Sequence, residues 1–238
     1  QSKIVAKYDL TTLSPGHLVR AVFLHLKAEN LDAMKAAAMQ LAAIKKQGDP
    51  EGAYAALYEA AKSLRDHRGP ADAAALWAAV PANSNLQPRA LREQAYTLMW
   101  GLADFSQAAR VLKESHTNDP RSRRLLGMAL VLNGSVEEGE KVLRDLPEQG
   151  DPDKRAAISG AMARTIEFYL DQKDADNGDD QWDRWMGKYP VDFLEGYSAM
   201  LKVRLIALRG NAKVAAKLAE AFAIAVPKSS YAPQLLDQ

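Results

Sequence analysis

Four histidines, His17, His25, His67 and His116, are the chain's imidazoles, and it has no cysteine. A zinc hydrolase needs ligands at HExxH-like spacing on one helical face, and a thiolate nucleophile needs a cysteine. Neither pattern occurs. His17 and His25 fall in one helical stretch, but a separation of eight residues exceeds two turns, and the histidines read as polar surface and turn positions. Gly187-Lys188 has the ending of a phosphate loop, yet the glycine required five residues before its second Gly is replaced by Trp182. No GxSxG elbow is present. The expectation is a chain with no catalytic residues, no metal and no cofactor.

One acidic stretch needs separate treatment. Asp171, Asp174, Asp176, Asp179, Asp180 and Asp183 crowd an interhelical loop and the helix start after it. A calcium loop beginning at Asp174 needs oxygen at its fifth position, glycine at its sixth and glutamate at its twelfth. Those places hold Gly178, Asp179 and Trp185. The stretch therefore reads as a solvated turn whose carboxylates favour the positive end of the next helix.

The elements that must position any site are helices. Pro15, Pro50, Pro88, Pro120, Pro152, Pro190 and Pro227 are spaced 35, 38, 32, 32, 38 and 37 residues apart. Proline fits the first helical turn, where its missing N–H loses no partner. Ser14, Asp49, Asp119 and Asp151 each precede one of these prolines as N-cap candidates. Between prolines, two amphipathic stretches flank a short polar or glycine-containing turn. The clearest unit begins at Pro120: Leu126, Leu130 and Val131 form a stripe, and Asn133-Gly134 breaks the helix. Ser135 caps the next helix, with Glu138 placed to close a capping box. Gly127 and Gly139 are small where the two helices would touch. The expected helices span 15–28, 30–46, 50–66, 70–79, 88–101, 104–117, 120–132, 135–146, 152–173, 178–188, 191–209 and 211–226. Trp182, Trp185 and Tyr189 share one helical face and read chiefly as packing between the last two pairs.

Leu126-Gly127, Gly134, Gly139, Leu143 and Leu146 resemble the tetratricopeptide repeat in order and spacing, with Asp151-Pro152 closing the unit one position late. Phe105, Ala108, Leu112, Ser115 and Pro120 match the second half of the unit before. Gly178, Trp182, Trp185 and Pro190 match part of the fifth unit, and Gly210, Ala215, Ala219, Phe222 and Pro227 part of the sixth. The first two units carry few signature residues. The resemblance implies an all-α fold: a right-handed α-α superhelix of about six helix-turn-helix repeats, one domain over residues 1–238. It also implies a concave groove lined by the first helix of each pair. Carried over, the groove receives Glu93, Gln94, Thr97 and Trp100 from the third unit and Arg121, Arg124, Leu125 and Met128 from the fourth. Arg164, Thr165 and Phe168 come from the fifth, and Tyr197, Met200 and Arg204 from the sixth. Arginines beside aromatic side chains suit an acidic or carboxylate-bearing peptide with apolar residues. Glu93 and Thr97 stand where the family's clamp for a C-terminal Glu-Glu-Val-Asp peptide needs Lys and Asn, so that ligand is not expected.

Composition agrees with a binding module. Lys plus Arg is 31 and Asp plus Glu is 30, so the net charge of +1 exerts no global pull on nucleic acid. No apolar run approaches the length of a membrane span. The expected function is a non-catalytic protein-binding scaffold. The alternatives are an assembly protein that associates with itself through terminal repeats, and a helical-toroid enzyme with paired carboxylates in a deep cleft. The tail EGYSAMLKVRLIALRG with VPKSSYAPQLL resembles exported bacterial repeat proteins, which tips the expected location toward the periplasm or cell envelope over the cytoplasm.

Overall fold

Pro15, Pro50, Pro70 and Pro120 each occupy the first position of an α-helix, where the ring's fixed φ suits the turn. The computed structural model describes residues 9–44, 50–66, 69–80, 83–115, 119–149 and 151–236. Among them are thirteen α-helices, three short 3-10 turns and no strand. His67, His116, Asp49 and the far ends of the helices expected over 30–46 and 104–117 lie outside the described residues. The chain divides into two compact units, Gln1–Leu102 and Ala103–Gln238.

The first unit holds α1 (Pro15–Lys27), α2 (Leu31–Ala42), α3 (Pro50–Asp66), α4 (Pro70–Ala78) and α5 (Gln87–Leu102). The pairs α1–α2, α3–α4 and α4–α5 pack closely. Along α1, Leu18, Ala21, Val22 and His25 recur at helical spacing and are all buried. They meet Met34, Ala37, Ala38 and Leu41 of α2 in one core with Leu57 and Trp77. His25 is thus a core residue, 2% exposed, and not the surface histidine its type suggested. Its position seven residues after Leu18 puts it on the apolar face. His17 is exposed and shares a hydrogen bond of 2.8 Å with Ser14 Oγ. That bond occupies the Ser14 hydroxyl, which makes no cap bond to the backbone.

The second unit holds α6 (Phe105–Glu114), α7 (Pro120–Leu132), α8 (Val136–Arg144), α9 (Arg155–Asp171), α10 (Ala175–Lys188), α11 (Tyr197–Leu208), α12 (Ala212–Ala225) and α13 (Ala232–Leu236). Asp119 caps α7, accepting from the N–H groups of Arg121 and Ser122 at 3.0 and 3.1 Å. Gly134 takes φ +88 and ends α7 as the Asn-Gly pair predicts. A Cβ on Gly139 would stand 2.6 Å from Gly127 O, and one on Gly127 would stand 2.7 Å from Leu143 Cγ. The two helices therefore touch through these glycines, as expected. The capping box does not form: Ser135 makes no side-chain cap bond, and Glu138 pairs instead with Lys113 at 2.8 Å.

Two expected helices are shorter than their apolar patterns. The stretch 152–173 opens with a 3-10 turn, Pro152–Lys154, and α9 begins at Arg155. The stretch 191–209 is broken at Gly196, which adopts φ +97 between the 3-10 turn Pro190–Glu195 and α11. A Cβ at Gly196 would fall 2.2 Å from Ser229 Oγ, so the tail packs onto the break. Neighbouring helices pair through α6–α7, α7–α8, α9–α10, α11–α12 and α12–α13. In addition α7 packs against α12, which skips the intervening pair. A strict repeat stack has contacts only between adjacent repeats, so the second unit is more closed than that pattern. No described helix is long and apolar enough to cross a membrane.

Candidate functional site

Of the fourteen residues expected to line a groove, Trp100, Arg121, Arg124, Met128, Arg164, Phe168, Tyr197 and Arg204 fall into three environments. Met128 is fully buried on α7, and Trp100 is 6% exposed on α5 of the first unit, so both side chains are taken up in packing. For Met128 the reason is that α6, α8 and α12 all pack against its helix. Arg124 is half-buried and turns toward α10, where a Cβ on Gly187 would stand 2.8 Å from its Nη1. It is part of the α7–α10 packing. Arg121 is exposed at the start of α7.

The remaining four belong to α9 and α11, which pack together. Arg164 is exposed, with no ion pair or side-chain hydrogen bond among the described residues. Phe168 stands one turn further on the same face of α9 and is 58% exposed, its ring edge-on to Tyr169 at 5.7 Å. From α11, the half-buried Tyr197 donates its hydroxyl proton to Glu167 on α9. Its ring lies 5.0 Å from that of Tyr231. Burial and the bond to Glu167 push the Tyr197 phenol up to about 12, so it stays a neutral donor through the ordinary pH range. Arg204, two turns along α11, is half-buried and also has no ion pair among the described residues. The packed α9 and α11 therefore carry an exposed Arg164 and Phe168 on α9 and a Tyr197–Glu167 bond between the two helices.

The acidic stretch divides in a way that spacing did not reveal. Asp174 caps α10, accepting from Asn177 N at 3.1 Å and from Asn177 Nδ2 at 2.6 Å. The Asn177 side chain, and then its backbone N–H, hold that carboxyl below its usual range. This is the solvated cap the sequence predicts. Asp179 is different: it is 6% exposed, paired with Lys202 and bonded to Arg209 Nη1 at 2.8 Å. Lys202 is itself 1% exposed. Arg209 reaches Asp176 as well, at 2.7 Å. The legible signal was Lys202, one of two charges, with Arg204, inside the apolar run SAMLKVRLIAL, because a buried ammonium requires a counter-charge.

A second buried carboxylate went unnoticed in the sequence. Asp192 is 2% exposed and accepts from Ser159 Oγ and Trp185 Nε1, both at 2.7 Å, and from Arg155. Trp182 donates to Ser198 O at 2.8 Å, and Phe193 stands edge-on to both Trp182 and Phe222. Trp182, Trp185 and Tyr189 are thus core, as their shared face suggested. Among the described residues no three His, Asp or Glu side chains converge as metal ligands. No protein-family model and no curated protein matches the chain.

Proposed function

We propose that this chain is a non-catalytic binding protein that captures an acidic peptide on the α9–α11 face. The observation that carries this reading is the unpaired Arg164 one helical turn from Phe168, which is 58% exposed. A free guanidinium favours a carboxylate, and an exposed aromatic ring beside it offers an apolar anchor at small entropic cost. Tyr197 and Glu167 border the pair and restrict which peptide groups fit. The helical-pair architecture, the proline period and the Gly127–Gly139 contact support descent from a tetratricopeptide-like repeat. On that reading the pairs build a right-handed superhelix, with its stack drawn closed in the second unit by the α7–α12 contact.

The test uses fluorescent peptides that interleave Asp or Glu with Leu and Phe, and their Lys-substituted counterparts. Anisotropy should show binding of the acidic set that weakens with salt. The double variant Arg164→Glu, Phe168→Ala should lose at least tenfold in affinity while its circular dichroism and denaturation midpoint hold. Arg124→Glu is a poor test, because Arg124 packs on Gly187 and its loss would disturb α10. Equal binding of acidic and basic peptides, or an unchanged double variant, would overturn the assignment.

A further inference from the structure

Behind the same helices the second unit holds a half-open cleft of about 490 Å³ between α9, α11, α12 and α13. Such a volume lies within the range of small-molecule sites, roughly 300–1,000 Å³. Leu170, Val203, Ala215, Ala219 and Leu235 supply apolar wall, and Arg204 is the one charged residue of the lining. Ala207, Ala212 and Ala216 are exposed positions on the same wall, where small side chains leave the cleft unfilled. The lining has no acidic residue, and Arg204 has no ion pair among the described residues. The nearby Glu167 is engaged by the Tyr197 hydroxyl.

We infer that this cleft binds an apolar monocarboxylate, its alkyl chain between the alanines of α12 and the side chains of α9 and α11, its carboxylate on Arg204. The charge decides the class. A guanidinium at the edge of an apolar cavity repels a cationic amphiphile and gains little from a neutral one, whereas a carboxylate forms charge-assisted hydrogen bonds with it. The apolar walls reward each methylene removed from water. The inference is independent of peptide capture on the outer face, since it rests on the cleft and needs neither Arg164 nor Phe168.

Isothermal titration of the full chain with octanoate, decanoate and 1-decanol, below aggregation of each, tests the assignment. Decanoate should bind about fifteenfold more tightly than octanoate, from two methylenes at roughly 0.8 kcal/mol each. It should also bind at least tenfold more tightly than 1-decanol, the contribution of a hydrogen bond to a charged group. Arg204→Gln should bring decanoate to the level of 1-decanol and leave 1-decanol unchanged, and Arg204→Lys should restore part of the difference. Ala216→Trp, at an exposed site on the wall, should abolish binding of both by filling the cleft. Arg164→Glu with Phe168→Ala should leave decanoate binding intact, which separates this site from the peptide face. No binding of decanoate by the wild-type chain, equal affinity for decanoate and 1-decanol, or an unaltered Ala216→Trp would each overturn the inference. Should Arg204→Gln fail to fold, the wild-type ratio of decanoate to 1-decanol and the Ala216→Trp result still decide it.

Discussion

The ammonium of Lys202 is buried against the carboxylate of Asp179 and lies 4.3 Å from the centre of the Trp182 ring. The pair ties α11 to α10 through a charge that neither helix could bury alone. Removing Asp179 by Asp179→Ala leaves that ammonium without its buried carboxylate and should cost about 3–5 kcal/mol. Replacing both residues with Asp179→Leu and Lys202→Met should cost far less, since two apolar groups need no partner. Urea denaturation of Asp179→Leu, Lys202→Met and the double variant measures the coupling. Additive losses would show that the pair does not act as a unit.

Asp183 faces Lys202, Asp179, Arg124 and Asp180, and burial, the largest influence, pushes its carboxyl above the ordinary 3.8. The folded chain therefore holds this proton more tightly than the unfolded chain does. Its contribution is most favourable below pH 3.8 and is lost as pH rises through the folded value. Asp183→Asn should raise the denaturation midpoint at pH 7 and leave it nearly unchanged below pH 3.8. A stabilisation independent of pH would assign the effect to packing instead.

Two glycine substitutions should act with opposite sign. Gly139→Ala places a methyl 2.6 Å from a backbone oxygen of α7 and 2.7 Å from Val131 Cγ2. Forcing the helices apart should cost about 1–3 kcal/mol, more than the gain of roughly 1 kcal/mol from replacing a helical glycine. Gly160→Ala on α9 meets only Arg164 Nη1, at 3.5 Å. It should stabilise the chain by about 0.5–1 kcal/mol. Thermal melts of the two variants check both signs.

Asp192→Ala removes the acceptor for Trp185 Nε1 and Ser159 Oγ and one of the three carboxylates paired with Arg155. Each donor left without a partner in a buried setting costs about 1–3 kcal/mol. The denaturation midpoint should fall sharply, and tryptophan emission should shift as the Trp185 ring loses its fixed surroundings. Asp192→Asn, which keeps an acceptor oxygen, should lose less.

Residues close in the chain made much of the helical architecture legible. The helices starting at Pro15, Pro50, Pro70 and Pro120 follow from proline's fixed φ, and the end of α7 follows from Asn133-Gly134. The Gly127–Gly139 contact follows from two small residues facing across one short turn. The break at Gly196 was hidden because its apolar flanks continue the helical pattern, and only contact with Ser229, 33 residues away, reveals why the chain turns there. Glu138 likewise found its partner, Lys113, in another helix.

For the site the division is similar. Sequence alone determined that the chain is helical, that cysteine and HExxH chemistry are absent, and that arginines recur on α7, α9 and α11 with aromatics on the last two. Only the tertiary structure decided which of them face outward. Met128 and Arg124 went to packing because α10 and α12 close over α7, whereas Arg164 and Phe168 remained exposed on α9. Exposure depends on what a distant helix covers, and a helical face carries the same spacing whether it meets protein or water.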